Sequence, residues 1–372
     1  MWKPFGHSCG RGENAVATLF GRRWSRSELE RRCGDILQVA GIRRVRLCGG
    51  KEEGVECALV RTGSGLDFQV TLDRGMDISL AGFKGVPLAW RSPAGDVHPS
   101  FCSSTGEEWR ASFAGGLMTG CGMSNVGAPC MDEGESLGLH GKLSHLPASD
   151  IRTVTEWEGD ECRFVVSGSV LEQPGPGVAL RLNRRITAAL GGSTLEVEDR
   201  VVNEGTGRTP CMLLYHVNAG WPLLDERARL LLRARETSPR DADAAAGLNE
   251  SVRFSPPIRA FREQVFYHDL TPDAAGTVTV LLANIPLGIG LLLRYRKADL
   301  PEFVEWKMMS EGMYALGLEP ANCRVEGRAR ERAEGRLRYL EAGEERTIRL
   351  DLEVIEGAER ISTLAAENGL PV

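Results

Sequence analysis

Leu195-Glu196-Val197-Glu198-Asp199-Arg200-Val201 alternates apolar and polar residues one by one. Side chains of a β-strand point to opposite faces in turn, so a period of two marks a half-buried strand. Working outward, short runs rich in Val, Leu, Ile and Phe recur at 55–62, 67–72, 163–170, 179–188, 194–202, 211–217, 277–283 and 289–296. Gly, Pro, Asp and Asn separate them, as turn residues do. Near the C-terminus, Arg336-Leu337-Arg338-Tyr339-Leu340 passes through Glu341-Ala342-Gly343-Glu344-Glu345 into a final alternating strand at 347–354. The one clear helical pattern is 26–36, which Ser25 or Ser27 can cap, with Glu28 and Glu30 in its first turn. The fold expected is mainly β: two large antiparallel sheets packed face to face, plus a short N-terminal helix. No repeat or linker divides the chain, so a loose tail over 1–18 and a single domain over 19–372 are expected.

A chain of 372 residues buries a large core without disulfides or metals. Its 42% hydrophobic and 26% charged residues are ordinary for a globular protein. A net charge of −6 leaves no electrostatic footprint for nucleic acid. None of the ten cysteines forms a C-x-x-C pair, and several sit in apolar runs, which suits reduced thiols in the cytoplasm. The N-terminus lacks the apolar core of a signal peptide. The most apolar stretch, 278–293, is interrupted by Asn284, Pro286, Gly288 and Gly290 and reads as strand, turn, strand.

Familiar catalytic signatures are missing. The glycine-dense run 115–123 lacks G-x-G-x-x-G and a surrounding βαβ unit, so turns and close backbone approach are its plainer reading. There is no Walker loop and no G-x-S-x-G elbow. The six histidines show no H-x-H or H-x-x-x-H spacing, so neither a metal nor another cofactor is expected. Two strand ends stand out instead. In 211–222, alternation puts Met212, Leu214, His216 and Asn218 on one face, just before Gly220 and Pro222. That places His216 at a rim or cleft; the alternative is a core histidine bonded to backbone. In 313–322, Ala315, Gly317 and Glu319 share a face, so the carboxylate has open space before it; the alternative is a solvated edge glutamate. Leu139-His140-Gly141-Lys142 is a histidine loop. Asp73-Arg74-Gly75-Met76-Asp77 packs charges around a glycine, either as a surface turn or as a ligand grip. Trp306, upstream of Glu319, is a sugar-stacking platform or a core residue.

Taken together, Leu139-His140-Gly141, Tyr215-His216-Val217-Asn218 and Leu318-Glu319-Pro320, with the Ala342-Gly343-Glu344 turn and the last strand, resemble the galactose mutarotase-like superfamily. Leu19-Phe20-Gly21-Arg22-Arg23 and Asp73-Arg74-Gly75-Met76-Asp77-Ile78 are similar to an uncharacterised branch of the aldose 1-epimerase family. The resemblance implies a β-supersandwich that binds a monosaccharide and interconverts its anomers. It implies His216 as general acid at the ring oxygen, Glu319 as general base at the anomeric hydroxyl and His140 as a sugar ligand. Arg74, Asp77, Asn218, Trp306 and Lys142 are further candidates for holding the sugar. The residue types suit the chemistry, because a histidine donates and a glutamate accepts near neutral pH. The Asn-Arg-Ile run of the well-studied enzymes is absent and Asn218 follows His216 by only two residues, so the sugar is left unassigned. The competing readings are a non-catalytic sugar binder, and an isomerase or epimerase of another sugar or sugar acid. The partner expected is a monosaccharide or sugar derivative, with no nucleic acid and no membrane; a homodimer is compatible with this.

Overall fold

A computed structural model describes residues 17–371. The alternating segments form strands. Thr194–Asn203 buries every second residue and pairs antiparallel with Val178–Ala189 and Glu345–Glu356. These lie in an eight-stranded sheet ordered Ser149–Glu158, Glu161–Gly175, Val178–Ala189, Thr194–Asn203, Glu345–Glu356, Ile289–Arg296, Thr277–Asn284 and Arg229–Leu231. A six-stranded sheet runs Ala234–Pro239, Gln264–Leu270, Glu302–Ser310, Met313–Ala321, Met212–Gly220 and Thr119–Met123. Beside these two stands a third sheet, of five strands, from Gly41–Arg46 to Val86–Pro87. One hydrophobic core joins all three, through residues such as Val70, Val197, Leu293, Val217 and Leu318. Fully burying a side chain of this size contributes about 1.5–3 kcal/mol.

Strand Met212–Gly220 is buried along its whole length. Its odd-numbered residues Leu213, Tyr215, Val217 and Ala219 enter the main core, while Met212 and Leu214 enter a second, smaller apolar cluster on the other face. Burial on both faces explains why this segment reads as apolar rather than alternating. A polar tie crosses the main core behind it. Arg184 donates to both carboxylate oxygens of Asp199, at 2.8 and 2.6 Å, and to Gly75 O at 3.0 Å. Tyr215 Oη donates to Asp199 Oδ2 at 2.9 Å. Both charges of this pair are fully buried, so each depends on the other for its solvation.

Helical expectations need correction. The helix expected at 26–36 covers only Arg26–Glu30, with a capping box made by Ser25 and Glu28; a separate 3₁₀ turn follows at Ile36–Gln38. Gly34 and Asp35 divide the two. The longest helix, Ala358–Glu367, packs Ile361, Leu364 and Ala365 against the eight-stranded sheet and was not expected. Of the expected tail, residues 1–16 lie outside the described residues, while Ala17 and Thr18 already pair with Trp24 and Arg23. No helix among the described residues is long and apolar enough to cross a membrane. The nine cysteines among them are all free.

Candidate functional site

The second apolar cluster covers the face of the six-stranded sheet turned away from the main core. In the register set by Leu214↔Ala321 and Val217↔Leu318, His216 stands opposite Glu319 on adjacent strands. Side chains facing each other across an antiparallel pair lie within reach. His216 Nε2 and Glu319 Oε1 accordingly approach to 3.1 Å. The same register aligns Gly317 with Trp306 and Glu319 with Val304 on the next strand. Gly317 keeps the space open. A Cβ there would collide with Glu319 Oε1 and stand 3.0 Å from both His216 Cε1 and Trp306 Cβ. The small face read from Ala315 and Gly317 is therefore room for the glutamate side chain itself.

His140 reaches the same place from a loop. It adopts a left-handed backbone, φ 55°, and its N–H donates to Gly127 O at 2.9 Å. Gly141, also left-handed, fits against Asn125 O and Gly122 O where no Cβ could go. The His140 and His216 rings lie 5.9 Å apart, centroid to centroid. Aromatic rings surround them: Trp306 at 5.5 Å and Phe113 at 5.2 Å from His216, and Trp109 at 4.7 Å from His140. Trp90 closes the ring cluster, 6.0 Å from Trp306.

Burial sets the protonation. It drives His216 down to about 3, with His140 adding to the effect and the Asn218 side chain and Glu263 opposing it. His140 is likewise pushed down to about 3 by burial and by Arg110. Glu319 is raised well above the usual carboxylate range by burial, then by Glu263; Arg240 opposes. A low-dielectric site disfavours every charged form, so both histidines rest neutral and Glu319 rests protonated. The two shifts run in opposite directions and both favour the neutral form: an imidazole with one N–H beside a carboxyl that keeps its proton.

The other candidates divide. Asn218 lies beside the pair. Its Nδ2 donates to Gly116 O and to His216 O, which fixes the strand end, and its Oδ1 is left buried without a hydrogen-bond partner, as are His216 Nδ1 and Glu319 Oε1. Trp306 flanks His216 and donates from Nε1 to Glu263 Oε2 at 3.0 Å. Arg74 and Asp77 lie elsewhere. The three guanidinium nitrogens of Arg74 donate to Ser144 O, Val97 O and Ser112 O, so the group fastens loops together. Asp77 accepts from Gly120 N at 2.8 Å and burial raises it to about 7, against Arg184. Together with Ser79, Asp96 and Thr119 they line a cavity of about 10 Å³. That is room for one water and none for a sugar. The turn at 73–77 is a turn, but a buried one. Lys142 is exposed, and its backbone N–H donates to Gly122 O.

Glu263, just before strand Gln264–Leu270, was not singled out from the sequence. It accepts from Trp306 and, at 3.1 Å, from Arg240. Burial pushes it up, but these two bonds prevail and hold it below the usual carboxylate range. It is thus an ionised carboxylate beside two uncharged acid–base groups. The covering residues Trp90, Trp109 and Phe113 were also missed; no local motif marks them. Among the described residues no group of three His, Cys, Asp or Glu could hold a metal ion.

Solved structures similar to the chain include an aldose 1-epimerase candidate from Klebsiella pneumoniae, with TM-score 0.84 and 24% identity over 88% of this chain and 86% of that one. A galactose mutarotase-like protein from Clostridium acetobutylicum gives 0.58 and 14% over 86% and 99%. A galactose 1-epimerase from Lactobacillus acidophilus gives 0.51 and 12% over 86% and 99%. At these identities the likeness establishes the fold: galactose mutarotase-like. No curated protein sequence matches. The family model for a domain of unknown function, DUF4432, matches residues 52–354, and the chain belongs to that family.

Proposed function

We propose that the chain binds an aldose over His216 and Glu319 and interconverts its anomers. The observation that carries this reading is the 3.1 Å approach of His216 Nε2 to Glu319 Oε1, on a sheet face lined by tryptophans. The names of the structural relatives point the same way.

The proton count closes. In the resting pair the proton is on Glu319. His216 Nε2 and Glu319 Oε1 lie 3.1 Å apart but are not hydrogen-bonded; sugar binding aligns them, and the proton passes from Glu319 to His216, giving imidazolium and carboxylate. His216 then protonates the ring oxygen while Glu319 takes the proton of the anomeric hydroxyl, and the C1–ring-oxygen bond breaks. The pair is back in its resting form, neutral histidine and protonated glutamate, with the open aldehyde in the site. Rotation about C1–C2 and the reverse steps close the ring on the other face. Each positioned proton-transfer group contributes a factor of about 10² to 10⁴. In this reading the neutral His140 accepts from or donates to the sugar hydroxyls, the ionised Glu263 accepts from them, and Trp306 offers an apolar face to C–H groups.

The test is anomer exchange followed by NMR across a panel of aldoses. Wild-type chain should accelerate exchange of at least one. His216→Asn and Glu319→Gln should each lose about 10² or more of that acceleration while remaining folded. An unchanged rate in either variant refutes the assignment of that residue. Saturable binding of an aldose with no exchange above background favours the non-catalytic sugar binder.

A further inference from the structure

The acid–base pair is shut away from solvent. His216 is 4% exposed and Glu319 2%. Trp306, Trp90 and the His140 loop wall it in, and one segment, residues 98–113, crosses over it through two short 3₁₀ turns, Pro99–Phe101 and Glu108–Ser112. Thr105, Gly106, Glu107, Glu108, Arg110 and Ala111 face outward. Trp109 and Phe113 face inward, stacked 4.5 Å apart at 24°, with one ring over His140 and the other over His216. A sugar ring in contact with both histidines needs the place these two rings hold.

The attachment of the segment is uneven. At its base Arg74 donates to Val97 O at 2.7 Å and to Ser112 O at 2.9 Å, pinning the two ends together. Past it, Gly116 is packed against Ile78 O and Ser79 so closely that no Cβ fits. Besides the burial of Trp109 in the apolar cluster, the packing of Gly138 against Ser104 O and Gly106 O and the bond from His98 N to Lys51 O at 2.8 Å, the span between is held by few bonds. Trp109 Nε1 donates to Ser144 Oγ at 3.1 Å. His145 bridges Ser104 and Ser112 through its two ring nitrogens, at 2.8 and 2.9 Å. Leu139 N donates to Gly106 O at 2.8 Å. A loop with closed ends, a solvent-facing back and a handful of side-chain fasteners is the kind of element that opens locally while the sheets stay intact.

We propose that residues 98–111 are a gate, with Trp109 as its closing face and Phe113 as the fixed ring at the pinned end beside it, and that ligand reaches His140, His216 and Glu319 only when this segment lifts off the Ser144–His145 turn. What enters rests on the function proposed above; the movement does not. Arg74 and His145 thereby take roles as the pivot and the catch of the gate.

The experiment is carbethoxylation by diethyl pyrocarbonate near neutral pH, read at His216 and His140 by peptide mass spectrometry. The reagent attacks neutral imidazole, and both histidines are held neutral, so the rate reports access. With an open form populated at roughly 1%, His216 of the wild-type chain should react about a hundredfold more slowly than added N-acetylhistidine. Ser104→Ala, and independently Ser144→Ala, each of which removes one fastener and no covering ring, should raise that rate at least tenfold, with the circular dichroism spectrum unchanged. A wild-type His216 that reacts as fast as N-acetylhistidine overturns the gate. So does one that stays equally protected in both variants. If protection changes as expected but no aldose shows anomer exchange, the gate stands and the proposed reaction falls. If exchange is seen with an unprotected His216, the reverse holds.

Discussion

Replacing Gly317 by alanine adds one methyl group and removes none of the reacting atoms. The backbone accepts it, since Gly317 lies in a regular strand outside the left-handed region. The new Cβ would collide with Glu319 Oε1 and press on His216 Cε1 at 3.0 Å. Trp306 Cβ, also 3.0 Å away, blocks relief on the other side. The carboxylate must withdraw by roughly 1 Å, and misplacement of a reacting group on that scale costs about 10²-fold in rate. The assay is NMR anomer exchange on an aldose that the wild-type chain turns over, with thermal unfolding as a control for folding. Glu319→Gln is measured alongside, and the double variant Gly317→Ala/Glu319→Gln completes the cycle. If the methyl acts by displacing Glu319, it has little further effect once Glu319 is gone, so the two losses fail to add. A Gly317→Ala chain with wild-type rate would refute the geometry. Full additivity would refute the claim that Gly317 exists to make room for Glu319.

Two further outcomes concern stability. Asp199→Asn leaves the buried Arg184 guanidinium without its hydrogen-bonded carboxylate and with only Asp77, at 3.8 Å, as a counter-charge, and should cost about 3 kcal/mol in urea unfolding, whereas Tyr215→Phe, which loses one hydrogen bond, should cost about 1 kcal/mol; equal costs would show that the ion pair is not what the core depends on. Because Glu319 is raised in the folded state, the native chain keeps a proton that the unfolded chain releases near its ordinary value of 4.5, so its contribution to stability falls as pH rises through that window. Glu319→Gln cannot ionise, so its Tm should gain on wild type as pH rises above about 4.5; a constant gap rejects the upward shift. His140, His145 and His216 carry the opposite sign. Their folded values near 3 lie below the ordinary 6.5, so the stability they give is lost as pH falls from 6.5 toward 3.

The strands and the pair were legible for the same reason. Period-two patterning is a local property, and it put His216 with Met212 and Leu214, and Glu319 with Ala315 and Gly317, on the faces the structure gives them. What brings those two strands together is register, set by Leu214↔Ala321 and its neighbours about a hundred residues apart in the chain. No local pattern carries that, and only the family resemblance supplied it. Arg74 shows the limit from the other side. Its partners are carbonyls at 97, 112 and 144, and a backbone carbonyl has no signature in a sequence. Glu263 looked like any polar residue ahead of a strand until Trp306 and Arg240 closed on it. The C-terminal helix was open to detection: Ile361, Leu364 and Ala365 are spaced three and four apart, as one helical face requires.

The crowding of aromatic rings around the two histidines has an optical consequence. The chain has seven tryptophans, and Trp90, Trp109 and Trp306 all lie in this one cluster. Indole emission depends on the polarity and packing around the ring. A sugar that enters between these rings replaces aromatic contacts with hydroxyls and water, and the emission of the whole protein should change with it. The molecule thus carries its own fluorescent indicator, and a library of carbohydrates can be screened against the unmodified chain without a label and before any reaction is known.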